Sequence, residues 1–447
     1  MNKEHELMAD ADARANAYRQ SVATRRVFPS ETDLLALDVF DQPLPADPTS
    51  PEAMLAQLDE VGSPATSVST GPNYFGFVIG GLLPAAAAAE KMVSVWDQCA
   101  SSQMNSPIAA KLESVAANWV LDILDLPRAA AIGFGTSATA CGVSCFAAAR
   151  HQLLARQGWN VEEEGLSGSP QIKVVVSDIT HISIIKAFRI LGIGTKQIIK
   201  AKTDQRGRII PAQLPPLDAM TILCLQAGEV NMGDFDPFAP LIAKAKKAGA
   251  WTHIDGAFGL WARATKTHRH LTEGLELADS WTTDGHKWLN TPYDSAMAIV
   301  KDGEAMARIM NSDAVYASAE THAQKSLTLE FSRRARGIAI WAVLKTLGRS
   351  GVCELVERHC AQAQKLAKGI DGKNGIKVVG DVPLNQVLCT TTGAETPAEF
   401  TARLQAGGQI WFGTTVWQGK PAFRLSVSSW RTTDADINRA IKVLTAG

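Results

Sequence analysis

Short apolar runs alternate with helical segments between residues 173 and 300, and this alternation limits the fold of the chain more than any other feature. The runs lie at residues 173–177, 196–200, 220–225, 251–255 and 296–300. Helical patterns separate some of them, at residues 184–191 and 240–248. Strands that alternate with helices form a mainly parallel sheet covered by those helices. The sequence therefore predicts an α/β domain.

The sequence patterns at the two ends of the chain differ from the alternation of strands and helices between them. Residues 1–60 hold five prolines and predict a helical extension that packs on a partner subunit. After residue 310 the pattern predicts two long helices near 330–347 and 353–369, strands near 376–380, 386–391 and 422–428, and a final helix at 434–444. We expect a large α/β domain over residues 61–310 and a small α+β domain over residues 311–447.

Composition excludes several classes of partner. The formal net charge is −1, whereas nucleic acids and anionic membranes require a basic face. The longest apolar stretch, residues 76–89, is too short to span a bilayer and contains Gly80, Gly81 and Pro84. The polar N-terminus has no signal-peptide core, so we expect a cytoplasmic protein. The seven cysteines form no CxxC pair, and we expect neither a disulfide framework nor a metal site.

The segment Asp284-Gly285-His286-Lys287-Trp288 follows a predicted strand at residues 278–283. Ligands bind at the carboxyl ends of the strands in open parallel sheets. A lysine at that edge can form an imine with an aldehyde cofactor. Taken alone, however, Lys287 is better interpreted as a surface lysine in a turn.

Asp255 ends the apolar run at residues 251–255 and is followed by glycine. An aspartate in this position is often a turn residue. The functional alternative gives its carboxylate a cationic partner such as a protonated pyridine nitrogen. A protonated ring of that kind accepts electrons from a carbanion at the substrate Cα.

Small residues and hydroxyls precede the helical stretch that ends at Arg150, in Gly133-Phe-Gly135-Thr136-Ser137-Ala138-Thr139. Backbone N–H groups at a helix N-terminus can bind a phosphate group. The spacing also fits GxGxxA, the dinucleotide fingerprint, although residues 128–132 make a poor strand before it. A simple capped helix start explains the segment equally well.

Two further residues have both a structural and a functional interpretation. His181 stands beside a helix start, where it can be structural or can stack on an aromatic cofactor ring. Arg424 lies inside an apolar strand and needs an anionic partner, either an internal carboxylate or a substrate carboxylate bound bidentately.

The chain order of these elements matches the fold type I pyridoxal 5′-phosphate (PLP) enzymes. The sequence resembles the group II PLP-dependent decarboxylases, which include aromatic-amino-acid, glutamate, histidine and tyrosine decarboxylases. The most specific match is ADSWTTDGHKW at residues 278–288, which corresponds to the family's ADSxxxDxHKW. Residues 71–77 resemble its HPxFFGF segment, residues 181–187 its HxSxxKA element and residues 227–237 its AGxxxxGxFDP element.

The resemblance implies a fold type I architecture, with a mainly parallel seven-stranded sheet in a large domain and a small α+β C-terminal domain. It implies a homodimer with active sites at the subunit interface. It also implies roles for single residues: Lys287 as the Schiff-base lysine, His286 at the cofactor phosphate, Asp255 at the pyridine nitrogen, Ala257 and His181 on the two ring faces, Ser137, Ala138 and Thr139 at the phosphate, Arg424 at the substrate carboxylate and Phe77 in substrate binding.

Four departures from the family pattern stand out. Gly71 replaces the usual histidine, Ala140 and Gly142 replace the usual Glu and Asn of the phosphate-loop helix, and Glu229 stands where Thr or Asn is common. The interval at residues 314–331 is also too short for the mobile loop of the aromatic-amino-acid enzymes. Its one tyrosine, Tyr316, aligns better with a structural pair. The group that protonates the decarboxylated carbon is therefore not identified, although His322 lies in this interval.

The predicted reaction is decarboxylation of an amino acid to an amine. Another PLP reaction on the same scaffold stays open: a carbon–carbon lyase, an aldehyde synthase or a transaminase. A nucleotide-binding reductase built on GxGxxA would leave Lys287, Asp255 and His181 unexplained. The retention of both Lys287 and Asp255 argues against a non-catalytic homologue. The polar residues 98–105, together with Glu229, favour a small or polar amino acid as substrate.

Overall fold

The structure is a computed structural model that describes residues 3–310 and 323–446. It divides into two compact units. The larger unit comprises the described parts of residues 82–363 and 380–386, and the smaller comprises those of residues 1–81, 364–379 and 387–447. The domain limits drawn from the sequence, at residues 60 and 310, stay a prediction.

Helices make up much of both units. They are α1 (Lys3–Ser21), α2 (Glu31–Leu35), α3 (Pro51–Gln57), α4 (Pro84–Trp96), α5 (Pro107–Ile123), α6 (Ala138–Ala155), α7 (Val161–Glu164), α8 (Ile182–Ile190), α9 (Phe238–Ala248), α10 (Gly303–Met310), α11 (Arg336–Ile370), α12 (Pro397–Ala406) and α13 (Asp434–Thr445). Helix α11 turns at Gly348, whose φ of 59° is not helical. The two long helices predicted near residues 330–347 and 353–369 are therefore joined end to end.

A seven-stranded sheet belongs to the larger unit. Its strands are β1 (Ala131–Gly135), β2 (Lys173–Ser177), β3 (Ile198–Ala201), β4 (Thr221–Gln226), β5 (Trp251–Asp255), β6 (Ser280–Asp284) and β7 (Ala296–Val300). Their order in space is β1-β7-β6-β5-β4-β2-β3. Strands β2 to β6 pair in parallel, and β7 runs antiparallel to both β6 and β1. The predicted α/β class with a mainly parallel seven-stranded sheet is confirmed.

Strand β1 corrects the expectation that the residues before Gly133 make a poor strand. β1 lies at the edge of the sheet, where one side of its backbone has no strand partner. Gln324 replaces that partner, because its Oε1 accepts from Phe134 N at 2.9 Å and its Nε2 donates to Ile132 O at 2.9 Å. A side chain about 190 residues away therefore completes this strand.

The smaller unit holds a four-stranded sheet. Its strands are β8 (Ile376–Val378), β9 (Gln386–Thr391), β10 (Gly413–Trp417) and β11 (Lys420–Ser426), in the order β10-β11-β9-β8. The sequence did not predict β10. This strand forms a hairpin with β11 across Gln418 and Gly419, both of which have positive φ. Tight hairpins need that conformation, but Gln-Gly is a weaker signal for it than Asn-Gly.

The N-terminal helices bury little of their own surface. In the described part of the chain, α1, α2 and α3 contain no buried residue. Several large apolar side chains of this segment are exposed, namely Met8, Phe28, Leu34, Leu35, Val39, Phe40, Leu44, Met54 and Leu58. Among the described helices, none is both long and apolar enough to cross a membrane.

Candidate active site

The register of the large sheet brings several predicted site residues to one edge. Gly135 at the end of β1 and Asp284 at the end of β6 both pair with Ala296 of β7. The loops that follow them therefore start about 10 Å apart, which is two strand spacings. Asp255 at the end of β5 pairs with Thr282, two residues before Asp284. The edge thus collects the start of α6, the Asp255 turn and the Lys287 turn.

Lys287 lies in the turn that follows β6, and its side chain is 22% exposed. Its Nζ lies 3.2 Å from Oδ2 of Asp284, whose side chain is 3% exposed. Beside it, the fully buried Trp288 donates from Nε1 to Nδ1 of His359 at 2.9 Å. Lys287 is therefore partly exposed to solvent, whereas its neighbours Asp284 and Trp288 are buried.

His286 is buried next to Lys287, and its ring stacks on Tyr293 with centroids 4.2 Å apart. Ser295 N donates to its Nδ1 at 3.2 Å, so the proton of the neutral ring is on Nε2. That atom lies 3.7 Å from Asp284 Oδ2, too far for a hydrogen bond. Burial lowers the pKa of His286, although Asp284 opposes this effect. The ring is consequently a neutral donor that faces a carboxylate.

Asp255 is 8% exposed and has one short backbone contact, in which Ala257 N donates to Oδ1 at 3.2 Å. Burial raises the pKa of the Asp255 carboxyl, while the charges of Lys287 and His181 act in the opposite direction. An ionised carboxylate buried in this way needs a cation in contact with it. The carboxylate of Asp255 is therefore suited to bind a positively charged group.

Helix α6 begins at the same edge. Ser137 is its N-cap, and the side chain accepts from Ala140 N at 3.2 Å. Residues 136–140 are half-buried, so the first turn is open to a ligand. A Cβ on Gly135 would lie 2.8 Å from Cys141 Sγ, so this position has no room for a side chain. Unpaired N–H groups and the helix dipole favour an anion at such a terminus.

His181 is the N-cap of α8 and is exposed. Its Nδ1 accepts from Ser183 N at 3.3 Å and lies 2.7 Å from Ser183 Oγ. This arrangement leaves Nε2 to carry the proton of the neutral ring. Because the charge of His181 acts on Asp255, the two residues belong to one electrostatic neighbourhood. The half-buried Ala257 follows Asp255 directly.

Arg424 and Phe77 belong to the smaller unit. Arg424 is half-buried on β11 and pairs with Gly413 of β10. Phe77 is 57% exposed, and its ring lies 5.0 Å from that of Trp411. The backbone of Phe77 is left-handed, with a φ of 51°, which is uncommon for an aromatic residue.

Glu229 lies in the loop that follows β4. Its carboxylate is 3% exposed and turns into its own loop. It accepts from Asn231 N, from Asn231 Nδ2 and from Met232 N at 2.7–2.9 Å. All three donors belong to the loop that carries Glu229, so its carboxylate helps to hold that loop in place. Tyr316 and His322 lie outside the described residues.

Sequence reasoning missed the ring of Tyr293 and the contact of Trp288 with His359. The fully buried His359 lies 71 residues beyond Trp288, and no local pattern reveals such a pair. Across the described residues, no group of three or more His, Cys, Asp and Glu side chains is arranged to hold a metal ion.

The family model of the pyridoxal-dependent decarboxylase conserved domain matches residues 35–390. Among individual proteins, the chain is 28% identical to tyrosine decarboxylase of Papaver somniferum over 362 residues, which cover 74% of this chain and 68% of that protein.

Solved structures with the same fold include Oryza sativa TDC with PLP and tryptamine, at a TM-score of 0.89 and 23% identity over 99% of this chain and 97% of that chain. Another is Rhodiola rosea 4-hydroxyphenylacetaldehyde synthase, at a TM-score of 0.85 and 21% identity over 99% and 96% of the two chains.

Proposed function

Because this chain belongs to the family of pyridoxal-dependent decarboxylases, we propose that it converts an L-amino acid to the corresponding amine and CO₂, with PLP bonded to Lys287. The observation that carries this proposal is the shared sheet edge. Lys287, the buried Asp255 and the N-terminus of α6 follow three strands of one sheet at that edge. These are the three contacts that an aldehyde, a ring nitrogen and a phosphate require.

The buried carboxylate of Asp255 fits the ring nitrogen of the cofactor. It has one backbone donor and lies in a place where burial disfavours its charge. A protonated pyridine nitrogen supplies the missing cation, and the carboxylate in turn keeps that proton on the nitrogen. His181 and Ala257 are the residues we assign to the two faces of the ring.

The start of α6 fits the phosphate. Ser137, Ala138 and Thr139 offer hydroxyl and backbone donors in a half-buried turn. The 18-residue helix behind them adds a favourable dipole. We assign His286 to the same phosphate, because its Nε2 carries a proton that it can donate.

When it is bound, PLP acts as an electron sink for the carbanion that CO₂ leaves behind. The protein contributes position and charge. Asp255 holds a proton at the ring nitrogen, and Lys287 supplies the amine that bonds to the cofactor. We assign Arg424 to the α-carboxylate of the substrate, because a guanidinium binds a carboxylate through two parallel hydrogen bonds. Phe77 is our second substrate-binding residue.

Aromatic amino acids are the first substrates to test. Tyrosine decarboxylase of Papaver somniferum carries an aromatic substrate in its name. The expectation of a small or polar substrate rested partly on Glu229, whose carboxylate accepts hydrogen bonds within its own loop. We therefore propose an aromatic L-amino acid as the substrate.

We also propose that the protein is a homodimer. Helices α1 to α3 bury no residue of their own and expose a series of apolar side chains. Many exposed apolar side chains within one short stretch of chain favour an interface. A second copy of this chain is the occupant we propose, and we expect its active sites at the subunit boundary.

The test begins with the purified protein incubated with PLP. We expect visible absorbance that borohydride removes, and a peptide mass that places the reduced cofactor on Lys287. A panel of L-amino acids is then assayed for both CO₂ and the amine, because equal amounts separate decarboxylation from an aldehyde synthase or a transaminase.

The variant Lys287→Ala should lose the visible band and nearly all CO₂ release. The matched control is Lys301→Ala, at an exposed lysine of the same unit. If Lys287→Ala keeps the activity of the wild type, the assignment of the lysine is wrong.

A further inference from the structure

The indole of Trp288 is the side chain that ties the Lys287 turn to a distant helix. Trp288 and His359 are both 0% exposed, and Trp288 Nε1 donates to His359 Nδ1 at 2.9 Å. Water cannot replace either partner at this depth. A buried N–H group that loses its acceptor is costly to the folded state, so this contact strongly selects one orientation of the indole.

The rest of the turn is held by local contacts. Asn290 has a left-handed backbone, with a φ of 56°, and its Nδ2 donates to Trp288 O at 2.7 Å. Asn290 N donates to Lys287 O at 3.2 Å, and Leu83 N donates to Asn290 O at 3.0 Å. These bonds fix the backbone of the turn, whereas the hydrogen bond to His359 on α11 fixes the ring that fills its base.

The same indole touches the segment that carries Asp255. Its ring lies 6.2 Å from the ring of Phe258, at a tilt of 50°. Phe258 directly follows Ala257, the residue whose N–H bonds to the Asp255 carboxylate. Because Trp288 is covalently joined to Lys287 but only packs on Phe258, a rotation of the indole would displace the lysine turn more than the aspartate turn.

We propose that His359 is a positioning residue for Lys287: through the Trp288 indole it holds the lysine turn in the conformation from which Nζ reaches the cofactor aldehyde. This inference rests on the proposed function of Lys287. His359 accepts through Nδ1, so its neutral ring carries the proton on Nε2. A side chain with an acceptor atom at the same reach should perform the same task.

The experiment compares the affinities of two cofactor forms for the cofactor-free enzyme. PLP has the aldehyde that Lys287 needs, whereas pyridoxamine 5′-phosphate lacks it and reports ring and phosphate contacts alone. In His359→Leu we expect PLP to bind about 5- to 100-fold more weakly, the effect of losing one buried hydrogen bond. Pyridoxamine 5′-phosphate should bind within about threefold of wild type, and His359→Asn, whose Oδ1 takes the place of Nδ1, should restore most of the PLP affinity.

Cys360→Ala is the matched control, because Cys360 is the next residue of the same helix and is 1% exposed. It should leave both affinities unchanged. If His359→Leu weakens both cofactor forms equally, or weakens neither, His359 is an ordinary core residue and the inference is wrong. Failure of His359→Asn to recover PLP binding would contradict it as well.

A second variant guards against a His359→Leu protein that does not fold. Trp288→Phe removes the donor from the other side and should weaken PLP but not pyridoxamine 5′-phosphate; an equal effect on both would overturn the inference. The proposed function fails separately, if wild type bonds no PLP at Lys287. A wild type that bonds PLP normally, with His359 variants that do so equally well, defeats the inference alone.

Discussion

Replacing Asp255 with asparagine should change two properties of the protein in opposite directions. The carboxylate is 8% exposed, has one short backbone contact with Ala257 N, and has its pKa raised by burial. Its ionised form therefore destabilises the cofactor-free fold. Asparagine keeps the size and loses the charge, so we expect the cofactor-free variant to be more stable by about 1 kcal/mol at pH 8.

The gain in stability should depend on pH with a defined sign. Since the pKa of Asp255 is higher in the folded than in the unfolded state, its contribution is fully present below the unfolded pKa and is lost as pH rises through the folded pKa. The difference between variant and wild type should be small near pH 4 and should grow towards pH 8. Urea denaturation, followed by circular dichroism at one protomer concentration, measures it.

The affinity for PLP should fall in the same variant. Loss of a charged hydrogen bond of about 1.5–3 kcal/mol corresponds to about 10- to 150-fold weaker binding. The control is Asp279→Asn, at the other end of β6, whose carboxylate bonds to Thr252. It should leave PLP binding unchanged. If Asp255→Asn destabilises the cofactor-free protein at pH 8, or binds PLP as wild type does, Asp255 is a turn residue.

Three further predictions concern other parts of the chain. Glu113→Gln breaks a buried ion pair with Arg333 and should lower the free energy of unfolding by about 3–5 kcal/mol in urea, whereas a loss below 1 kcal/mol would contradict this. Arg424→Lys should lower kcat/KM by about two decades at unchanged PLP affinity, and unaltered kinetics would place the carboxylate elsewhere. Leu35→Asp combined with Phe40→Asp should give monomers in sedimentation, and an intact dimer would refute the proposed interface.

Much of the large sheet could be predicted because its strands are buried on both faces. Runs predicted at residues 220–225, 251–255 and 296–300 correspond to β4, β5 and β7, in which every residue is buried. In a sequence, strands that are buried on both faces appear as continuous apolar segments. The edge strand β1 (AIGFG) is buried as well, but its two glycines weaken the strand pattern, and a distant glutamine completes its hydrogen bonds.

The site could be predicted where it depends on strand ends and not where it depends on side-chain direction. Lys287, Asp255 and Ser137 each follow a strand, and the register brings them to one edge. Glu229 also follows a strand, yet its side chain turns back into the loop. Sequence position alone does not distinguish these cases, because the direction of a loop side chain is set by the donors that surround it. The pair of Trp288 with His359 is equally beyond the reach of local patterns.

Hydrogen-bond donors separate the structural carboxylates of the larger unit from those at the site. Asp236 accepts from Ile209 N and Gln226 N, both at 2.7 Å, and Glu229 accepts from three donors. Both are buried as deeply as the site carboxylates, at 3% exposure. Burial alone therefore does not mark a functional group.

Asp255 and Asp284 both have fewer hydrogen-bond donors than Asp236 and Glu229. Asp255 has one short backbone contact, and within the described chain Asp284 Oδ1 is buried without a hydrogen-bond partner while Oδ2 faces Lys287. Folding leaves few buried polar atoms unsatisfied, and those that remain concentrate where a protein binds a ligand. These two carboxylates end adjacent strands, β5 and β6, beside the turn that carries Lys287. Two buried carboxylates with few hydrogen-bond donors therefore lie at the edge to which we assign the cofactor, and this observation is independent of any resemblance in sequence.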